Sequence, residues 1–203
     1  MSKKIVAISA GLGQPSTTRM LADRLTEATE KHLVEHGEQT DIEIVELREF
    51  AHEITDATLT GFANPRLQHV LDSVMAADGF ITATPIFKAS YSGLFKSFVD
   101  SLEADSLIGK PVLIAATGGT VRHSLAIDHS MRPLFSYMQA LVVPTGVFAS
   151  PHDWSTEGKD GLAKRVDRAA AELASLLAGS GTGRGRDEEF DMSSETMIAA
   201  ARP

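Results

Sequence analysis

Short apolar runs alternate along this chain with longer segments of helical period, and no other feature restricts its fold as much. Residues 4–9 (Lys-Ile-Val-Ala-Ile-Ser), 79–84 (Gly-Phe-Ile-Thr-Ala-Thr) and 111–117 (Pro-Val-Leu-Ile-Ala-Ala-Thr) are apolar nearly throughout, as strands buried on both faces of a parallel sheet must be. Residues 41–47 instead alternate apolar and polar side chains, which fits an edge strand with one open face. A fifth strand is expected within 141–149. Between the strands, residues 16–36 place Met20, Leu21, Leu25, Ala28 and Leu33 at helical spacing, with His36-Gly37 as a stop. Residues 66–77, 91–103, 124–140 and 157–178 read as further helices, whereas 50–64 mix polarity with Thr, Gly and Pro and read as an irregular excursion. Strands and helices in strict alternation predict an α/β fold of three layers: a doubly wound five-stranded parallel sheet of order 2-1-3-4-5, with right-handed crossovers. A chain of 203 residues suits one core. That domain is expected over residues 1–178. Residues 179–203 open with Gly179-Ser-Gly-Thr-Gly-Arg-Gly-Arg186 and read as a flexible C-terminal tail.

The alternation also says where chemistry belongs, because open sheets of this kind bind ligands at the carboxyl ends of their strands. The loops after Ser9, Thr84 and Thr117 should meet on that rim. The first, Ser9-Ala-Gly-Leu-Gly-Gln-Pro-Ser-Thr-Thr18, joins a strand directly to a helix. The unpaired N–H groups of a helix's first turn, with the hydroxyls of Ser16, Thr17 and Thr18, suit a phosphate. The loop lacks both the Gly-Lys-Ser/Thr of a Walker motif and the third glycine of a dinucleotide fingerprint. A plainer reading has Ser16 capping the helix while Gly11 and Gly13 only turn the chain. The second loop, Thr84-Pro-Ile-Phe-Lys-Ala-Ser-Tyr-Ser-Gly93, mixes apolar walls with exposed amides, as a flat amphipathic ring requires, although Phe87 and Tyr91 would serve equally as core. The third, Thr117-Gly-Gly-Thr120, permits close backbone approach to a ligand.

Composition narrows the chemistry further. The chain has no cysteine, which removes disulfides, thiolate metal sites and dithiol redox chemistry, so any redox reaction must use a bound cofactor. A net charge of -8 without clustered Lys and Arg argues against a nucleic-acid partner. None of the seven histidines sits in a ligand-like pattern, so no metal is expected, and no nucleophile elbow is present. No segment reaches the apolar length of a membrane span and no signal sequence is evident, which makes the cytoplasm the expected location.

Three segments, Ala83-Thr-Pro-Ile-Phe-Lys-Ala-Ser-Tyr-Ser-Gly-Leu-Phe-Lys96, Ala116-Thr-Gly-Gly-Thr-Val121 and Leu125-Ala-Ile-Asp128, together resemble the NAD(P)H-dependent FMN reductases of the flavodoxin-like superfamily. The likeness is strongest to the reductase components of two-component alkanesulfonate and luciferase-like monooxygenase systems, and it spans roughly residues 4–178. It implies a flavodoxin-like fold that holds FMN, with the phosphate at Ser9, Ser16 and Thr18 and with Gln14 nearby. The ring would lie against Pro85, Ile86, Phe87 and Lys88, with Ala89 and Ser90 behind, and Thr117, Gly118, Gly119 and Thr120 would approach its opposite part. Lys88 is also suited to hold a phosphate or a reduced, anionic flavin. Two departures stand out. The first loop carries Gly-Leu-Gly-Gln where many relatives have Gly-Ser-x-Arg, and His129 follows Asp128 where the alkanesulfonate-type reductase has a tyrosine at a helix insertion.

The resemblance further implies NAD(P)H as hydride donor, no catalytic side chain, a homodimer or homotetramer, and a flavin-dependent monooxygenase as partner for the reduced FMN. Two other activities suit the same fold. One is a quinone, azo or metal-ion reductase with tightly bound FMN, and the other is a flavodoxin-like electron carrier.

Overall fold

The computed structural model describes residues 2–155 and 159–179. Its parallel sheet runs β2 (Gln39–Glu46), β1 (Ser2–Ser9), β3 (Gly79–Phe87), β5 (Pro111–Thr117), then β6 (Leu141–Val142), with β7 (Val147–Ala149) also on β5. Taking β6 and β7 as one interrupted strand, this is the expected 2-1-3-4-5 order, with β2 at the edge as its alternating pattern required. A two-residue strand, β4 (Ser90–Tyr91), folds back antiparallel on the end of β3.

Strand parity divides the interior into two cores. Ile5, Ala7, Ile81 and Leu113 face α1 (Thr17–Glu35) and α6 (Lys159–Gly179), meeting Leu21, Leu25, Leu33, Leu162, Leu173 and Leu177. Val6, Ile8, Phe80 and Ile114 face the other way, against α2 (Ala51–Thr60), α3 (Pro65–Ala76), α4 (Gly93–Asp100) and α5 (Arg132–Tyr137). Phe135 sits between Phe80 and Phe95 there, edge-on at centroid distances of 6.4 and 6.2 Å. Each fully buried ring contributes about 1.5–3 kcal/mol through removal from water.

Several elements depart from the expectations. Within the expected irregular stretch 50–64 lies α2, which buries only Ile54 and Ala57 and ends at Gly61 with φ 78°. The expected fifth strand is broken, because the backbone between β6 and β7 bonds largely to side chains. Arg132 donates to the carbonyls of Val143 and Pro144 at 3.0 Å each, and Glu172 accepts from the N–H and hydroxyl of Thr145 at 2.7 Å. Gly146 is required there, since a Cβ would stand 2.3 Å from Ile127 Cγ2.

The expected helix over 124–140 is a 3-10 turn at Val121–His123, a π turn at Ile127–Met131 and then the short α5. Pro133 has no N–H to donate back to His129, so a regular helix cannot run through this segment. Strand β3 continues two residues past Pro85, and α4 begins at Gly93 rather than 91. No helix among the described residues is long and apolar enough to cross a membrane. Gly179, the first residue of the expected 179–203 tail, closes α6, and residues 180–203 lie outside the described residues, as do 157 and 158 of the expected last helix.

Candidate active site

Four loops converge at the carboxyl ends of β1, β3, β5 and β7 around a cavity of about 520 Å³, within the usual range for small-molecule sites. The chain leaves β1 as Ala10 N–H donates to Ala83 O at 2.9 Å. Gly11 then packs so tightly on the start of α1 that a Cβ there would lie 2.0 Å from Ser16 Oγ. Ser16 caps the helix, its hydroxyl accepting from Arg19 N at 3.2 Å and its carbonyl from Met20 N at 3.0 Å. Thr17 and Thr18, whose N–H groups the cap does not use, both line the cavity. The Thr18 hydroxyl meets that of Thr117 at 2.7 Å, and this buried bond ties the first loop to the third.

The second loop is a hairpin whose turn residues, Lys88 and Ala89, both have positive φ, 49° and 71°, as a type I′ turn requires. Its base is fixed by Ser92 N–H donating to Thr84 Oγ1 at 3.1 Å, while Ser92 Oγ accepts from Phe95 N at 3.2 Å and caps α4. The hairpin presents Pro85, Ile86 and Phe87 to the cavity, whereas Lys88, Ala89 and Ser90 lie outside its lining. In the third loop Thr117, Gly118 and Gly119 line the cavity. Gly118 N–H donates to Ala149 O at 3.0 Å, and a Cβ at Gly118 would come within 2.8 Å of the Phe148 ring. Thr120 instead caps the 3-10 turn, accepting from Arg122 N at 3.4 Å.

Ser9 and Gln14 stand apart from the other first-loop residues of interest. Ser9 is fully buried beneath the loop, its hydroxyl 3.5 Å from Gly11 N, and Gln14 points outward to Arg48. Thus Ser16, Thr18, Pro85, Ile86, Phe87, Thr117, Gly118 and Gly119 share one cavity, and Ser9, Gln14, Lys88, Ala89, Ser90 and Thr120 do not line it.

The fourth wall has no counterpart in the sequence reading. Ser150, Pro151 and Trp154 close the cavity from the loop after β7. Asp153 locks this wall by accepting from Ser150 N–H at 2.8 Å and Ser150 Oγ at 2.7 Å, and by pairing with Arg165. Burial pushes the Asp153 carboxyl up, but the two Ser150 donors and then Arg165 outweigh it and hold the group below its ordinary value. The indole of Trp154 carries the Arg24 guanidinium at 4.7 Å from its centroid. The chain's sole tryptophan and the capping-box spacing Ser150-Pro-His-Asp153 are the signals of this wall in the sequence.

Among the described residues that line the cavity, none carries an ionisable side chain. One end offers backbone N–H groups and hydroxyls at a helix N-terminus, which suits a phosphate, and no carboxylate there opposes one. The remainder offers Pro85, Ile86, Phe87 and Trp154, a surface for a flat ring. Phosphate donors joined to an apolar slot fit FMN, and the scarcity of acid–base groups fits chemistry carried by the cofactor.

Comparison with known proteins agrees. A family model described as NADPH-dependent FMN reductase matches residues 3–155. An FMN reductase (NADPH) of Pseudomonas aeruginosa is 38% identical over 180 residues, covering 87% of this chain and 93% of that protein. The NADH-dependent FMN reductase SfnE of Pseudomonas putida is 39% identical over 178 residues, covering 87% and 92%. Among solved structures, an oxidoreductase from Corynebacterium diphtheriae superposes with a TM-score of 0.85 at 44% identity, covering 88% of this chain and 98% of that one. The chain belongs to the NADPH-dependent FMN reductase family, and it is a flavin reductase that uses FMN and a reduced nicotinamide nucleotide.

Proposed function

We propose that the protein binds FMN as an exchangeable substrate in this cavity, reduces it with NAD(P)H, and releases the reduced flavin to a flavin-dependent monooxygenase. The observation that carries this reading is a cavity with phosphate donors at one end, apolar walls at the other and, among its described lining residues, no ionisable side chain. When bound, the two nucleotides supply the hydride donor and the hydride acceptor.

The chain's residues do the rest. Thr17 and Thr18 N–H and the Ser16 hydroxyl bind the phosphate, and the Thr18–Thr117 bond fixes their distance from the ring-binding loops. Pro85, Ile86 and Phe87 bind one part of the ring, the Gly118 and Gly119 backbone approaches another, and Trp154 with Pro151 excludes water from the remaining side. Release is supported by the rim, where Leu12 and Phe87 are 54% and 49% exposed, so that no part of the described chain covers the mouth. Assembly as a homodimer or homotetramer is part of the same proposal. Exposed Val121, Leu125, Tyr137 and Leu141 support it, and light scattering of the purified protein tests it.

The test of the activity is a steady-state assay with NADH and with NADPH, beside an absorbance spectrum of the protein as purified. Oxidation should rise with added FMN and saturate, and the purified protein should be nearly colourless. A yellow protein whose turnover ignores added FMN but accelerates with quinones would replace this reading with a quinone or azo reductase holding its flavin tightly. Transfer is tested by adding a flavin-dependent monooxygenase and measuring whether its product forms at the expense of free reduced flavin.

A further inference from the structure

The first loop is gripped from behind by an arginine of the neighbouring strand's end. Arg48 lies in the 3-10 turn Leu47–Phe50 that follows β2, with its side chain 19% exposed. Its Nη1 donates to Gly13 O at 3.4 Å. The Gln14 amide oxygen, in the orientation that satisfies both groups, accepts from Nη1 and Nη2 of the same guanidinium at 2.6 and 2.7 Å. Glu46 lies against Arg48 Nε at 3.0 Å, an ion pair rather than an aligned hydrogen bond. Its other oxygen takes Arg19 Nη1 at 2.9 Å, and Arg19 Nε in turn holds Asp23 at 2.7 Å.

A continuous relay therefore joins the loop to the first turns of α1. Its two guanidinium and two carboxylate groups offset one another, so it contributes shape to the loop more than field. The fork of Arg48 fixes residues 13 and 14, Arg19 fixes the helix start, and Glu46 holds both at one distance.

We propose that Arg48 is a positioning residue for the flavin phosphate. By clamping Gly13 O and Gln14 it holds the loop in the shape that aims the Thr17 and Thr18 N–H groups and the Ser16 hydroxyl into the cavity. This rests on the reading above that the FMN phosphate binds at that loop. Arg48 and Gln14 do not line the cavity, so neither touches the flavin, and Gln14 acts as the handle by which the loop is held.

The test compares FMN with riboflavin, which lacks the phosphate, by fluorescence titration of the whole protein and its Arg48→Ala, Arg48→Lys and Gln14→Ala variants. The wild type should prefer FMN. Arg48→Ala should weaken FMN by about tenfold, the worth of a charged hydrogen bond, and leave riboflavin unchanged. Arg48→Lys should not restore it, because an ammonium group keeps the charge and loses the fork. Gln14→Ala, at an exposed position that does not endanger folding, should lose part of the same preference and add little to Arg48→Ala. Equal weakening of both flavins, or undiminished FMN affinity in the Arg48→Ala and Gln14→Ala variants, overturns the proposal. A wild type that binds the two flavins alike overturns the phosphate reading beneath it, and that result shows before any substitution is made.

Discussion

At Gly11 even a methyl group meets the hydroxyl that caps α1, at 2.0 Å from Ser16 Oγ. The serine must leave its cap to admit it. Gly11→Ala should therefore cost about 1 kcal/mol of stability, the worth of an N-cap, and should weaken FMN binding because Ser16 lines the cavity. Urea unfolding and a flavin titration check the two effects, and an unchanged value in either contradicts the geometry.

Asp153 gives the pH dependence. Its folded pKa is depressed below the unfolded value, so its contribution is fully present above the ordinary carboxylate range and is lost as pH falls through the folded pKa. Wild-type stability should fall below about pH 4 more steeply than that of Asp153→Asn, and the variant should already be less stable at pH 7. Equal slopes in acid unfolding would show that the Ser150 contacts do not depend on the charge. The sequence exposed Gly11, Ser16 and Thr18 because they sit in a strand–loop–helix pattern whose physics is local. The Ser150-x-x-Asp153 spacing is just as local, whereas the contacts of Asp153 with Arg165 of α6 and of Trp154 with Arg24 of α1 are tertiary and have no pattern in the sequence.

Among the elements, the hairpin between β3 and β4 holds two ordinary side chains in left-handed backbone. Both Lys88 and Ala89 have positive φ, a region in which non-glycine residues cost about 1–2 kcal/mol each. Ala89→Gly should stabilise the protein by roughly 0.5–1 kcal/mol after the added unfolded-state entropy of glycine is subtracted. Ala89 lies outside the cavity lining, so FMN affinity should change little, and chemical denaturation beside a flavin titration measures both. A destabilised variant would mean that the turn is not strained as its angles imply.

This hairpin also shows why Lys88, Ala89 and Ser90 were expected at the site and are not in its lining. Their sequence is distinctive, but they form the tight turn beyond Pro85, Ile86 and Phe87, which are the hairpin residues that line the cavity. Long periodic helices such as α1 were legible to within a residue. The segments around Pro133, Pro144 and Gly146 were not, because they obey a missing N–H, hydrogen bonds from Arg132 and Glu172, and one close contact with Ile127 rather than a period. Helix α2 escaped because two buried side chains, Ile54 and Ala57, make too short a stripe to stand out.

Across the whole molecule, the parity of the buried strands sends Ile5 and Ala7 to one core and Val6 and Ile8 to the other, which is why apolar alternation along the chain was enough to anticipate the layers. The same architecture makes the cavity a meeting place of four otherwise separate strand ends. The loops are joined there by few direct bonds, chiefly Thr18 to Thr117, Ala10 to Ala83 and Gly118 to Ala149. A site built from all four loops exists only in the folded state, so the free energy of binding a ligand there adds to the stability of the entire sheet. At free FMN near 100 times its dissociation constant the gain is about 2.7 kcal/mol. For a domain of this size that raises the thermal midpoint by roughly 5–10 °C. The shift should grow with the logarithm of FMN concentration, and it should shrink in Thr117→Val, which leaves the Thr18 hydroxyl without its partner and loosens the first loop from the third. Scanning calorimetry over a series of FMN concentrations measures it. A midpoint insensitive to FMN would mean that the flavin does not bridge the loops that the four strands bring together.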